Sequence, residues 1–304
     1  ILGREQMDWL KQELISSTAD WKFISSGTPF NPDLRACIEV AVLAQAFFDT
    51  ISSPFGVFQP IDIAIEIADK WAGFPADAHE LINHVIENNI PNVIFLSGDT
   101  HTSGIDDGRS SLFPELMSGP LDRTNSQLVS FIEELGMYIW NMGGHNEYQS
   151  DYGNAYGRIF VAGSDSVILE SVTENGAVIG RHVVQNGYLP PSRSAVIGPQ
   201  RLNFGDIEVN GSPGIQGFLV VNTSIDTITI DSINISGDSG YLVIPQSLTT
   251  PFDVQSGGKS LIAVLFSPTG GDTSNAVISV HTNIGEDVVY EVSVTGVGID
   301  AVSI

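Results

Sequence analysis

Apolar positions along the first 187 residues recur with two periods, and the elements follow from them. Met7, Leu10 and Leu14 lie three and four apart with charges between, which predicts a helix from Gly3 to Ser16. Trp21 to Ser25 reads as a strand closed by a Gly27-Thr28-Pro29 turn. Asp33 to Thr50 is predicted as a second helix, nearly all apolar from Cys37 to Phe48 and so deeply packed. Ser52 to Pro60 reads as loop, and Asp62 to Lys70 fits strand and helix equally well. A turn over Asp69 to Pro75 leads into a helix from Ala76 to Asn88, with Leu81, Ile82, Val85 and Ile86 as its buried stripe. Val93 to Leu96, between Pro91 and Gly98, is a short buried strand. Phe113 to Gly119 reads as a short segment, Ser126 to Trp140 as a helix, and Gly143 to Tyr148 as a glycine-rich polar loop. Tyr156 to Val184 is a β-meander with its best hairpin turn at Asn175-Gly176.

Prolines and serines in Tyr188-Leu189-Pro190-Pro191-Ser192-Arg193-Ser194 mark a linker, and the texture changes beyond it. Helical periodicity is almost absent. Short β-prone runs follow at Leu202–Phe204, Gln216–Val221, Thr227–Ile235, Tyr241–Ile244, Leu261–Phe266, Ala276–Thr282 and Val288–Val297. Asn222, Gly237-Asp238, Gly257-Gly258, Gly270-Gly271 and Gly285 supply the turns, a rhythm that suits a β-sandwich. This part holds one histidine, His281, and no cluster of ligand-type residues, so it reads as a non-catalytic module.

Composition narrows the range of partners. The 304 residues carry 12 Lys and Arg against 36 Asp and Glu, a formal net charge of -24. Such a surface repels phosphate backbones and anionic lipid, which argues against nucleic acid and membrane insertion. A phosphate-bearing substrate needs positive charge from elsewhere, and bound metal cations are the obvious source. The single cysteine, Cys37, lies in an apolar stretch and reads as core, so no disulfide or cysteine zinc site can form within the chain. No run is long and apolar enough to span a bilayer. The chain opens on Ile1-Leu2-Gly3 without Met or leader, which suggests part of a longer precursor.

Candidate chemistry centres on Gly98-Asp99-Thr100-His101, directly after the Val93–Leu96 strand, where α/β proteins keep their sites. In extended chain Asp99 and His101 would face one side with Thr100 facing away, and Gly98 and Gly104 would supply sharp turns on either flank. His79 and His84 are five apart on their helix, which does not make a shared-face metal pair.

With these residues in view, positions 1–187 resemble the C-terminal half of a PhoD-like alkaline phosphatase, a branch of the calcineurin-like metallophosphoesterases. The resemblance rests on Leu2-Gly3-Arg4-Glu5-Gln6 with Trp9-Leu10 and Trp21-Lys22, on Trp71-Ala72-Gly73-Phe74-Pro75-Ala76, on Asn92-Val93 through His101, and on His145 and Tyr156-Gly157-Arg158. It implies an α/β fold and a multi-metal site, iron with calcium (zinc or manganese as alternatives), hydrolysing phosphate esters. Asp99 and His101 then become metal ligands and His145 a catalytic, site-lining residue. The sequence departs from the family in three ways. Nothing here resembles the family's N-terminal half, which carries its other ligands. The Asp and Tyr of the Trp-Asp-Gly-Tyr segment are Ala72 and Phe74. Gly144-His145-Asn146-Glu147 superficially matches another metal motif but falls in the wrong order. Residues 197–304, after a linker at 188–196, resemble an immunoglobulin-like sandwich of the choice-of-anchor D or abnormal-spindle-like type, through Leu202-Asn203-Phe204-Gly205, Val220-Val221-Asn222-Thr223, Ile230 to Ile235 and Phe266-Ser267-Pro268.

The combined expectation is a metal-dependent phosphoric ester hydrolase, extracellular or at the cell surface. The N-terminal half of the same precursor would complete its site, and the Ig-like domain would serve surface assembly. The alternative is a non-catalytic surface protein on a degenerate phosphatase scaffold; a carbohydrate-binding module has only Trp71, Trp140 and scattered aromatics behind it.

Overall fold

Burial of the hydrophobic stretches above produces two compact units in the computed structural model, Ile1–Ala36 with Gln59–Glu134 and Tyr138–Ser194, and Cys37–Phe58 with Leu135–Met137 and Ala195–Ile304. The structure describes residues 1–47, 67–109, 111–119, 121, 127–142, 154–244, 250–285 and 288–300. The expected loop at Ser52–Pro60 and the polar loop at Gly143–Tyr148 lie outside them.

In the first unit, helix α1 (Arg4–Ser16) buries Met7 and Leu14, the two ends of its predicted stripe. Strand β1 (Lys22–Ser25) follows, then the start of helix α2 (Asp33–Phe47), whose residues from Cys37 onward are counted in the second unit. The start of α2 is written locally: the Asn31 side chain accepts from Asp33 N–H at 2.8 Å, and Pro32 stands where a helix needs no amide donor. A short 3₁₀ turn at Trp71–Gly73 precedes helix α3 (Pro75–Glu87), which buries Leu81, Ile82 and Val85. Strands β2 (Val93–Ser97), β3 (Gly104–Asp107) and β4 (Pro114–Met117) complete a four-stranded sheet in the order β1-β2-β4-β3. The β1–β2 and β2–β4 pairs are parallel, and β3 is an antiparallel edge.

Alternation along β2 gives the sheet two covered faces. Phe95 joins Phe30, Phe113 and Trp71 in one aromatic cluster, with Phe30–Phe95 and Phe95–Phe113 centroids 4.4 and 5.3 Å apart. Ile94 points the other way, into a core with Ile105, Leu116, Val167 and Leu169. Val167 and Leu169 belong to the predicted meander, a three-stranded antiparallel sheet of β5 (Ala155–Ala162), β6 (Ser166–Thr173) and β7 (Val178–Gln185). The first unit therefore combines a few helices with a mixed sheet and an antiparallel meander. Helix α4 is shorter than its sequence suggests: Gln127–Glu134, not Ser126–Trp140, with Gly136 just beyond at φ 81°.

The second unit is β-rich. One sheet runs β12-β14-β10-β8 and the other β13-β11-β15-β16-β9. The strands are β8 (Ala195–Gly198), β9 (Arg201–Glu208), β10 (Gly214–Asn222), β11 (Ile228–Gly237), β12 (Tyr241–Ile244), β13 (Phe252–Val254), β14 (Lys259–Phe266), β15 (Thr273–Thr282) and β16 (Val289–Ile299). Every pairing is antiparallel except β9 with β16. Phe218, Val220, Ile262, Val264 and Phe266 from one sheet share a core with Leu202, Phe204, Ile278, Val280, Val292 and Val294 from the other. Strands β8 and β13 have no counterpart in the sequence reading, because Ala195–Gly198 carries no alternation and Phe252–Val254 is too short to show a period. Cys37, as expected, is buried. Among the described residues no helix is long and apolar enough to cross a membrane.

Phe95 is fully buried and touches three aromatic rings, so Phe95→Ala should destabilise the protein by about 3–5 kcal/mol. The fall in urea midpoint at unchanged slope measures it.

Candidate functional site

Strands β1, β2 and β4 run parallel, so their carboxyl ends open on the same edge of the sheet. A cavity of about 370 Å³ lies there, lined by Ser25, Ser26, Gly27, Ser97, Gly98 and Ser118 over Leu116 and Ile159. Asp99 and His101 border this edge through Gly98 but do not line the cavity.

The loop that carries them is not extended. Asp99 and His101 have φ of 82° and 54°, the left-handed region, whereas neither Gly98 nor Gly104 does. The extended backbone expected there gives way to left-handed bends on the aspartate and histidine themselves. Asp is among the residues that tolerate this backbone best, and the strain is of order 1–3 kcal/mol per residue. Gly104 is required for space, since a Cβ there would stand 2.5 Å from Cγ of the buried Trp140. His101 is exposed, and His145 lies outside the described residues.

Asp99 has a partner that the sequence reading missed. Lys70 Nζ lies 3.4 Å from Asp99 Oδ2 and 2.9 Å from Asp69 Oδ1, although the lysine is only 9% exposed. Burial works to lower the Lys70 pKa, but the hydrogen bond and charge of Asp69, with a smaller contribution from Asp99, outweigh it and hold the ammonium above the usual lysine range. The backbone around Lys70 is pinned. Trp71 Nε1 donates to Ser26 Oγ at 3.1 Å, Gly73 N–H donates to the Lys70 carbonyl at 2.9 Å, and the Ile67 carbonyl occupies the space a Gly73 side chain would need. A lysine beside Trp71 in a chain this poor in cations was the available signal.

Two hydroxyls of the same loop, Thr100 Oγ1 and Thr102 Oγ1, are buried without a hydrogen-bond partner. An unmet buried polar group costs about 1–3 kcal/mol, so the loop is short of neighbours that would satisfy it. Among the described residues no three His, Cys, Asp or Glu side chains come together as a metal-binding group.

Beneath the loop sits a second carboxylate that periodicity hides. Glu115 of β4 is fully buried and accepts from Phe30 N–H at 2.9 Å, Asn31 N–H at 3.0 Å and Ser97 Oγ. Burial pushes its pKa up to about 7 against the pull of those three donors, and Asp106 adds repulsion. His84 Nε2 is 3.0 Å from the Lys11 carbonyl, and burial lowers the His79 pKa; both belong to α3 and its neighbours, not to the loop.

Similarities to known proteins cover parts of the chain. Residues 1–164 match the family described as PhoD-like phosphatase. Alkaline phosphatase D of Bacillus subtilis (strain 168) is 33% identical over 103 residues, which is 34% of this chain and 14% of that protein. The chain thus spans a small part of the curated relative it matches. Among solved structures, one described as the structure of PhoD is similar over 60% of this chain and 33% of its own, with 18% identity and a TM-score of 0.38. The ASH / PapD-like domain of human CEP192 is similar over 40% of this chain and 95% of its own, with 16% identity and a TM-score of 0.29.

Because Glu115 binds its proton more tightly folded than unfolded, its contribution to stability is fully present below the usual value of 4.5 and is lost as pH rises through about 7. Urea midpoints from pH 4.5 to 7.5 should therefore decline more steeply in the wild type than in Glu115→Gln, which cannot titrate.

Proposed function

We propose that this chain, which belongs to the PhoD-like phosphatase family, supplies the C-terminal part of a phosphoric ester hydrolase. The observation that carries the reading is the family match over residues 1–164, with Gly98-Asp99-Thr100-His101 at the carboxyl end of β2 beside a hydroxyl-lined cavity. Asp99 and His101 are the metal ligands in this reading, and His145 lines the site. A hard carboxylate and a neutral imidazole suit the iron and calcium that the resemblance implies.

The donors in this chain do not by themselves fit a multi-metal centre. Two are too few, and one of them faces an ammonium at 3.4 Å. Further donors would come from the N-terminal half of the same domain, and the unmatched Thr100 and Thr102 hydroxyls support a loop that more chain completes. The substrate class is a phosphate ester. The acidic surface and the sandwich unit support an extracellular or cell-surface setting, with the Ig-like module as an accessory. A second reading, a non-catalytic surface protein on a phosphatase scaffold, is favoured by Ala72, Phe74 and the Lys70–Asp99 pair.

Protein made from the complete reading frame should hydrolyse p-nitrophenyl phosphate or its bis ester. Asp99→Ala with His101→Ala should cut the rate by on the order of 100-fold and remove bound metal, measured by elemental analysis. A complete protein with no activity and no metal, or a double variant as active as wild type, would overturn the hydrolase reading.

A further inference from the structure

The pairing of Lys70 with Asp99 draws on a more buried cation than most ion pairs of the first unit. Arg4 meets Glu80 with 67% of its side chain exposed, Lys11 meets the same glutamate with 25% exposed, and Arg109 meets the buried Asp107 with 81% exposed. The Lys70 side chain is 11% exposed and lies between two carboxylates on different segments, Asp69 at 2.9 Å and Asp99 at 3.4 Å. In a chain with 12 cations and 36 acids, a lysine has many partners available in solvent. Withdrawing this one beneath the loop requires the fixed 3₁₀ turn of Trp71–Gly73 on one side and the left-handed backbone of Asp99 on the other.

That arrangement bears on what else the Asp99 carboxylate can bind. A divalent cation needs the same oxygen lone pairs and would stand within a few ångströms of the ammonium, so the like charges repel even with the Asp99 side chain 45% exposed. The ammonium also neutralises the charge that would draw the metal in. We propose that Lys70 is a built-in counter-cation for Asp99 that excludes metal from this carboxylate, so that occupation by the lysine and by a metal ion are alternatives. Lys70 then sets how strongly the loop takes a metal. The inference rests on the reading of Asp99 and His101 as metal ligands, and it names the residue that decides their occupancy.

Binding of Mn²⁺ to protein made from the complete reading frame, by calorimetry with electron paramagnetic resonance of the free ion, tests it. Lys70→Met keeps the length of the side chain and removes its charge, and it should bind Mn²⁺ at least about tenfold more tightly than wild type. Lys70→Arg should stay as weak as wild type, and Asp99→Ala added to Lys70→Met should abolish the gain. Circular dichroism checks folding; if Lys70→Met does not fold, Lys70→Gln carries the same expectation. Equal affinity in wild type and Lys70→Met, lost in Asp99→Ala, overturns the role of Lys70 and leaves the ligand reading standing. Absence of Mn²⁺ binding in every variant overturns both.

Discussion

The buried carboxylate of Glu115 is the interaction on which the site edge depends. It grows from the middle of the mixed sheet and gathers three donors from separate parts of the chain, Phe30, Asn31 and Ser97. Through them it holds the segment after β1 and the carboxyl end of β2 at one level, so that the cavity between their tips has a defined floor. Phe30, anchored by its own amide, is then placed to pack on Phe95, and Asn31 is placed to open α2. A buried charge of this kind is tolerable only when its lone pairs are met, and here three donors and a raised pKa both meet that demand.

Above that floor the Asp99–His101 loop has a different character. Its backbone is bent at the two residues that carry the chemistry, two of its hydroxyls lack partners, and its carboxylate leans on Lys70. Backbone strain of this kind is concentrated at functional sites, and this loop lies in the part of the chain that matches the PhoD-like phosphatase family.

The second unit depends on a simpler constraint. Two sheets bury one face each against a common core in which Phe266 meets Tyr241 at 4.5 Å and Phe204 at 5.6 Å. Its polar counterpart is the buried Asn222, whose amide donates to the Asp226 and Val254 carbonyls and accepts from Ser224.

Periodicity alone determined most of the elements. The stripe of α1, the short buried strand at Val93, the meander and the runs from Leu202 to Val297 were all legible, since each reports a local preference for one buried face. That Asp99 and His101 follow the carboxyl end of a parallel strand was legible too, because both come just after a buried apolar run. Tertiary structure decided what periodicity does not encode. Glu115 looks like a solvent-facing charge in Pro114–Met117 until the fold closes around it, and Lys70 looks like half of a turn until Asp99 reaches it. The short strands β8 and β13 are likewise set by the strands they pair with, whereas α4 ends locally at the left-handed Gly136. Hydrophobic pattern is a one-dimensional signal; the pairing of a buried charge with its partner is a contact across the chain, and only the folded molecule makes it.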